Sequence, residues 1–205
     1  MNNFKVVAYY TLNTPYEEEV ENLRSSLKYF NIDHHIKGIQ NLGNWYRNTQ
    51  YKANFIQEML DKFKGQDLLY TDADSIIRQS LVLFKDIECD IAVRYLKWKY
   101  NKLGPDGQLA SGTIYFSNND KVKEVVRRWI GKHKGESKLY DQVTLQQVIS
   151  DCKKELGLVV YKLPIEYCEI HKGPFATGKP VIEHFQSSRR FKRIVGSKSC
   201  FQNKK

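Results

Sequence analysis

The sequence predicts an α/β domain, one β-sheet with helices packed on it, and two observations lead to that fold class. Short runs of valine, isoleucine, leucine and tyrosine alternate with amphipathic helical patterns through the first half of the chain. That order builds a sheet linked by helices and opens its ligand site at the carboxyl ends of the strands. The 205 residues, 41% apolar and 27% charged, suffice for one core and lack the low hydrophobicity of a disordered chain.

Residues 5–10 read as a first strand that runs out into polar Thr11, Asn13 and Thr14. A helix follows: Thr14 can cap it, Pro15 suits its first position, and Glu17, three residues after the cap, completes a capping box. Val20, Leu23, Leu27 and Phe30 then recur on one face. Residues 34–39 read as a second strand, followed by a loop holding Gly43 and Trp45. The next helix carries Phe55, Ile56, Met59, Leu60 and Phe63 on its apolar side and stops at Gly65. Residues 67–70 form a compact strand, and 91–95 and 113–117 two more. Helices are predicted over 121–134 and 141–152, the first burying Val125, Val126, Trp129 and Ile130, and late strands over 159–163 and 181–183.

Charge is unevenly placed. The chain has 33 basic and 23 acidic residues, a net charge of +10. Seven of the basic residues lie from Arg189 onward with no acid among them, leaving 26 against 23 before that point. A nearly balanced domain over residues 1–188 is therefore expected to carry a basic tail over 189–205, suited to phosphates, nucleic acid or an anionic surface. No apolar stretch approaches the roughly 20 residues that cross a bilayer, and no leader pattern opens the chain. Cys89, Cys152, Cys168 and Cys200 are scattered without a close pair, which speaks against a zinc ribbon or a disulfide framework. A cytoplasmic protein with reduced thiols is expected, in the host cytoplasm if the source is viral.

The stretch that points to chemistry is Leu68-Leu69-Tyr70-Thr71-Asp72-Ala73-Asp74-Ser75. An apolar strand ending in two carboxylates one residue apart sets both acids at the sheet edge, where they can face a hard divalent cation such as Mg²⁺ or Mn²⁺ bridging a diphosphate. The spacing alone also suits a solvated turn. Asp72-Ala73-Asp74 resembles the Asp-x-Asp motif of the GT-A glycosyltransferases, the nucleotide-diphospho-sugar transferases, whose fold is a Rossmann-like domain with a mixed central sheet flanked by helices. In that resemblance Tyr9, Tyr10 and Thr11 fall on the loop that receives the nucleoside, and Lys52 opens the helix before the metal strand. Ala110-Ser111-Gly112 falls on a small-residue turn beside the sugar, and Asp141-Gln142 on an element contacting the donor sugar. Val181-Ile182-Glu183-His184 is similar to the late strand whose histidine completes the metal site.

The resemblance implies a metal-dependent transferase that moves a hexosyl or pentosyl group from a nucleotide-diphosphate sugar, a UDP-sugar first, to an acceptor hydroxyl. Asp72, Asp74 and His184 would hold Mn²⁺ or Mg²⁺, while Asp141 and Gln142 would serve catalysis, in a pairing closer to retaining families. Ala73 and Gly112 would line the donor site, with Arg190 and Lys192 on its phosphates. Small size and basic charge resemble the sugar transferases of bacterial viruses that decorate hydroxymethylated DNA bases. Two clusters, Arg94 with Lys97, Lys99 and Lys102, and Arg127 with Arg128, Lys132 and Lys134, are expected to serve such an acceptor, with Tyr95, Trp98 and Tyr100 available to stack on a base. Plainer readings stand beside these: His184 as an ordinary strand-end histidine, Asp141 as a helix cap, Asp106 as a turn acid, and Trp45 as a loop anchor or weak donor-site residue. Alternatives for the whole chain are a transferase of bacterial surface polysaccharide, a metal-dependent nuclease, or a nucleic-acid-binding module without catalysis.

Overall fold

The computed structural model describes residues 4–96, 107–133, 139–189 and 191. Its strands are β1 (Phe4–Thr11), β2 (His34–Ile39), β3 (Asp67–Thr71), β4 (Ser75–Ile77), β5 (Ile91–Leu96), β6 (Gln108–Phe116), β7 (Val160–Lys162), β8 (Glu169–Ile170) and β9 (Ile182–His184). The helices are α1 (Tyr16–Tyr29), α2 (Trp45–Lys62), α3 (Asp120–Lys132) and α4 (Asp141–Leu156). Six strands form the main sheet in the order β2-β1-β3-β6-β5-β7, and β4-β9-β8 form a small second sheet. Parallel pairing of β1 with β2 and β3 gives way to antiparallel pairing of β6 with β3 and β5, so the central sheet is mixed, as expected.

Side-chain alternation along the strands builds two cores. On β1, Val7 and Tyr9 face α2, α3 and α4, while Phe4, Val6 and Ala8 face α1 and the small sheet. Trp129 is fully buried in the first core, its indole N–H reaching the Asp141 carbonyl and the Thr144 hydroxyl at 3.1 Å each. The start of α4 is thereby fixed against α3. That anchoring matters because α4 opens at the candidate catalytic acid.

Several boundaries differ from the sequence expectation, each for a local reason. Asn44 caps α2 by accepting from the Arg47 N–H at 3.0 Å, so Trp45 is the first helical residue and not part of a loop. Thr14 does not cap α1: Pro15 takes the capping position and Tyr16 is the first helical residue, the Thr14 hydroxyl donates to the Thr11 carbonyl, and Glu17 reaches back to the Asn13 N–H at 3.1 Å. Ala110, Ser111 and Gly112 lie within β6 and not in a turn. The strands β4 and β8, of three and two residues, were not expected.

Candidate active site

β3 ends inside a cleft of about 470 Å³, and the Asp72-Ala73-Asp74 turn forms part of its floor. The turn is held from both sides. Ser75 donates its N–H and its hydroxyl to the Asp72 carbonyl, and the Asp72 N–H donates to the Gly112 carbonyl of β6 at 2.9 Å. Asp74 accepts from the Ser187 N–H at 2.7 Å, while its carbonyl takes the Phe185 N–H. Antiparallel pairing of β4 with β9 sets His184 opposite Ser75. The result brings one donor atom from each of Asp72, Asp74 and His184 within 4.8 Å of one another, as the sequence motif had suggested.

This donor set fits a hard divalent cation: two carboxylate oxygens and an imidazole nitrogen, with positions left for phosphate and water. The electrostatics agree. Burial, with the charge of Asp72 beside it, pushes the Asp74 carboxyl up to about 6. Burial also opposes charge on His184, but Cys168, Asp72 and Asp74 outweigh it and raise its pKa. A cation between the two acids removes the repulsion that raises Asp74.

Behind the acids lies a second layer that joins them to α4. The Lys52 ammonium is buried and contacts Asp72 Oδ1 at 3.2 Å, Asp141 Oδ2 at 2.9 Å and the Ser111 carbonyl at 2.9 Å. Burial alone would strip its proton; Asp141 and Asp72 reverse that and hold it charged. The ammonium also stands 4.8 Å over the Tyr70 ring, and the Tyr70 hydroxyl donates to Asp72 Oδ1 at 2.7 Å. With Oδ1 engaged by Tyr70 and Lys52, Oδ2 is the oxygen left to a cation. Asp141 does not cap α4: its carboxylate accepts from the Ser111 hydroxyl at 2.8 Å and pairs with Lys52, and the capping position belongs to Tyr140.

Gly112 has a steric role that differs from the expected turn. A Cβ there would stand 3.0 Å from Cε1 and 3.1 Å from Nδ1 of His184, whose Nε2 is hydrogen-bonded to Thr113 Oγ1 at 2.8 Å. Such a Cβ presses on a ring that this bond also holds. Gly112→Ala is expected to displace the imidazole and weaken Mn²⁺ binding about tenfold or more in calorimetric titration, with circular dichroism unchanged.

Tyr10, Thr11, Ala73 and Gln142 line the cleft with these groups. Tyr9 lines it too, but as a wall: its hydroxyl donates to the Asn48 carbonyl at 2.7 Å, and its ring packs on Tyr51, Phe55 and Tyr70. Ser188 and exposed Arg189 close the end of the cleft beyond Asp74. Arg190 and Lys192 lie outside the described residues, as do Lys97, Trp98, Lys99, Tyr100, Lys102, Asp106 and Lys134. Of the described members of the basic clusters, Lys132 is exposed and the other three are otherwise engaged. Arg94 is buried and donates to the Cys168 carbonyl, Arg127 and Arg128 pair with Glu124, and Arg128 also pairs with Glu155. Tyr95 packs against the first core. Sequence reasoning did not single out Tyr70, Thr113, Cys168 or Tyr140. Tyr70 was the most legible of them, two residues before Asp72 and so on the same face of β3.

At the level of sequence the chain matches no protein-family model and no curated protein. Its fold is nonetheless that of GT-A glycosyltransferases. It is similar to a glycosyltransferase involved in glycosylation of the major capsid of PBCV-1, with a TM-score of 0.69 and 13% identity over 91% of this chain and 95% of that one. The galactosyltransferase LgtC, solved with donor and acceptor sugar analogues, gives a TM-score of 0.58 at 12% identity over 95% and 96%. GlyE of Streptococcus pneumoniae gives 0.62 at 16% identity, this chain covering 54% of its length. No helix among the described residues is long and apolar enough to cross a membrane.

Proposed function

We propose that the protein is a metal-dependent glycosyltransferase that moves a hexosyl or pentosyl group from a nucleotide-diphosphate sugar, a UDP-sugar first, to an acceptor hydroxyl. The observation that carries this reading is the convergence of Asp72, Asp74 and His184 at the floor of a cleft, with the Lys52-bridged Asp141 alongside. A Mn²⁺ or Mg²⁺ ion held by the three supplies Lewis-acid stabilisation of the leaving nucleoside diphosphate. The chain's own residues do the rest. Arg189, with Arg190 and Lys192 following it in sequence, adds positive charge for the phosphates. Lys52 and Ser111 hold the Asp141 carboxylate in one orientation, so that its charge faces the sugar as positive charge develops at the anomeric carbon. Gln142 offers an amide to the sugar hydroxyls or to the anomeric carbon itself.

Calorimetric titration with UDP, GDP, CMP and their sugars, in Mn²⁺ and then in EDTA, tests the reading on wild type and Asp74→Ala. One nucleotide is expected to bind only with metal and to lose binding in the variant; binding of none of them sinks the proposal. The pH dependence follows from two ligands that must lose a proton to take the cation: Asp74, whose carboxyl is pushed up to about 6, and His184, whose pKa is raised by Cys168 and the two acids. The Mn²⁺ association constant is therefore expected to fall as pH drops from about 8 toward 5, and to fall more than tenfold per pH unit below about 6. A flat profile from pH 7 to pH 5 would remove Asp74 from the ligand set.

A further inference from the structure

A group of three aromatic rings, two of which line the cleft, has no part in the chemistry above. Trp45 and Tyr46 open α2, Tyr140 immediately precedes α4, and the three stand in mutual contact. Ring centroids are 5.5 Å apart for Trp45 and Tyr46, and 5.4 Å from Tyr140 to each of them. The Gln50 side chain donates to the Leu139 carbonyl at 2.9 Å and so ties α2 to the segment that carries Tyr140. The group is therefore braced. It is also partly open to solvent: Tyr140 is 43% exposed, Trp45 and Tyr46 are half-buried, and the neighbouring Leu139 is exposed as well. Bracing a set of large rings at the surface, against the tendency to bury them, marks a contact surface for a ligand.

We propose that Trp45 and Tyr140 form the acceptor subsite and that the acceptor is a carbohydrate, its pyranose ring lying against these aromatic faces. This rests on the sugar-transfer reading and deepens it. A pyranose offers a face of C–H groups, which the negative face of an aromatic ring attracts, and an edge of hydroxyls, one of which must reach the reaction centre. Trp45 and Tyr140 line the cleft, and Asp141 and Gln142 follow Tyr140 directly in the chain. The remaining lining at this end, Asn48, Thr49 and Gln142, is neutral, and exposed Arg47 on the same turn stands outside it. A nucleic-acid acceptor calls for a track of free cations along its phosphates. Of the described members of the two basic clusters, Arg94 is buried and Arg127 and Arg128 pair with acids; Lys132 is exposed but does not line the cleft, and one lysine makes no track.

The test uses the nucleotide sugar selected by calorimetry. Release of nucleoside diphosphate is followed in Mn²⁺ alone, with methyl glycosides of glucose, galactose, mannose and N-acetylglucosamine, and with DNA containing hydroxymethylcytosine. At least one glycoside is expected to accelerate release and to give a disaccharide by mass spectrometry. Trp45→Ala and Tyr140→Ala should each raise its KM about tenfold, Trp45→Phe should recover most of that loss, and the nucleotide Kd should hold within about twofold in all three. Acceleration by DNA and not by the glycosides overturns the inference, as does acceleration by none of them while the donor binds. So does a glycoside KM that neither variant moves. Absence of any nucleotide-sugar binding is the distinct result that removes the transferase reading itself.

Discussion

Replacing both metal-site acids by their amides, Asp72→Asn with Asp74→Asn, is expected to abolish Mn²⁺ and metal-dependent nucleotide binding and to cut sugar transfer about a thousandfold or more. In EDTA the single variant Asp74→Asn, which leaves the Asp72–Lys52 pair in place, should be more stable than wild type. An asparagine at 74 can still accept from the Ser187 N–H, so the turn keeps its closure, while the buried negative charge disappears. The sign follows from the pKa. Asp74 is raised from its ordinary value of 3.8 to about 6, so the folded protein binds the extra proton between those values. Stability therefore falls as pH rises through that window, and at neutral pH the full penalty is present. Relief of that penalty is expected to be about 1–2 kcal/mol at pH 7, read from urea denaturation, and to vanish near pH 4. With Mn²⁺ present the order reverses, because only the wild type gains the binding energy of the ion. An Asp74→Asn variant less stable than wild type in EDTA would mean that Asp74 serves the fold and not a cation.

Much of this site was legible in the sequence because strand periodicity and motif order are local signals. Asp72 and Asp74 follow an apolar strand, and that strand is β3. His184 follows Val181, Ile182 and Glu183 and ends β9, and Lys52 lies on the helix anticipated before the metal strand. What stayed hidden were relations between segments far apart in the chain. Nothing in the sequence near Asp141 shows that its carboxylate turns away from the helix end to meet Lys52, 89 positions earlier, and Ser111. Gly112 read as a turn residue because a glycine among small residues usually marks one; its reason is the imidazole packed against it from a strand more than 70 residues away. The basic clusters were read as free charge because their acidic partners are not apparent from composition. Glu124 lies one helical turn from Arg127 and Arg128, so that pairing was within reach of the i to i+3 and i+4 rule.

Lys52→Met tests the connection between the two halves of the site. Methionine matches the length of the lysine stem and suits the buried passage past Tyr70, so little packing is lost; what is lost is the charge between Asp72 and Asp141. Breaking one side of a buried ion pair leaves an uncompensated acid, a cost of about 3–5 kcal/mol when burial is complete. The Asp72 side chain is 37% exposed and partly screened by water, whereas that of Asp141 is 7% exposed, so a loss of about 2–4 kcal/mol is expected. Adding Asp141→Asn should return most of that stability, since the amide can keep the Ser111 bond without the buried charge. Activity should not return with it. If Lys52 serves only to neutralise the acids, the double variant would bind nucleotide sugar and transfer as well as Asp141→Asn alone. If its ammonium also fixes Asp72 Oδ1, leaving Oδ2 to the metal, the double variant should show a further rise of about tenfold in the Mn²⁺ Kd over Asp141→Asn. The latter result is expected, because Tyr70 alone holds Oδ1 by one hydrogen bond that the carboxylate can pivot around, and the lysine is the second point that stops the rotation.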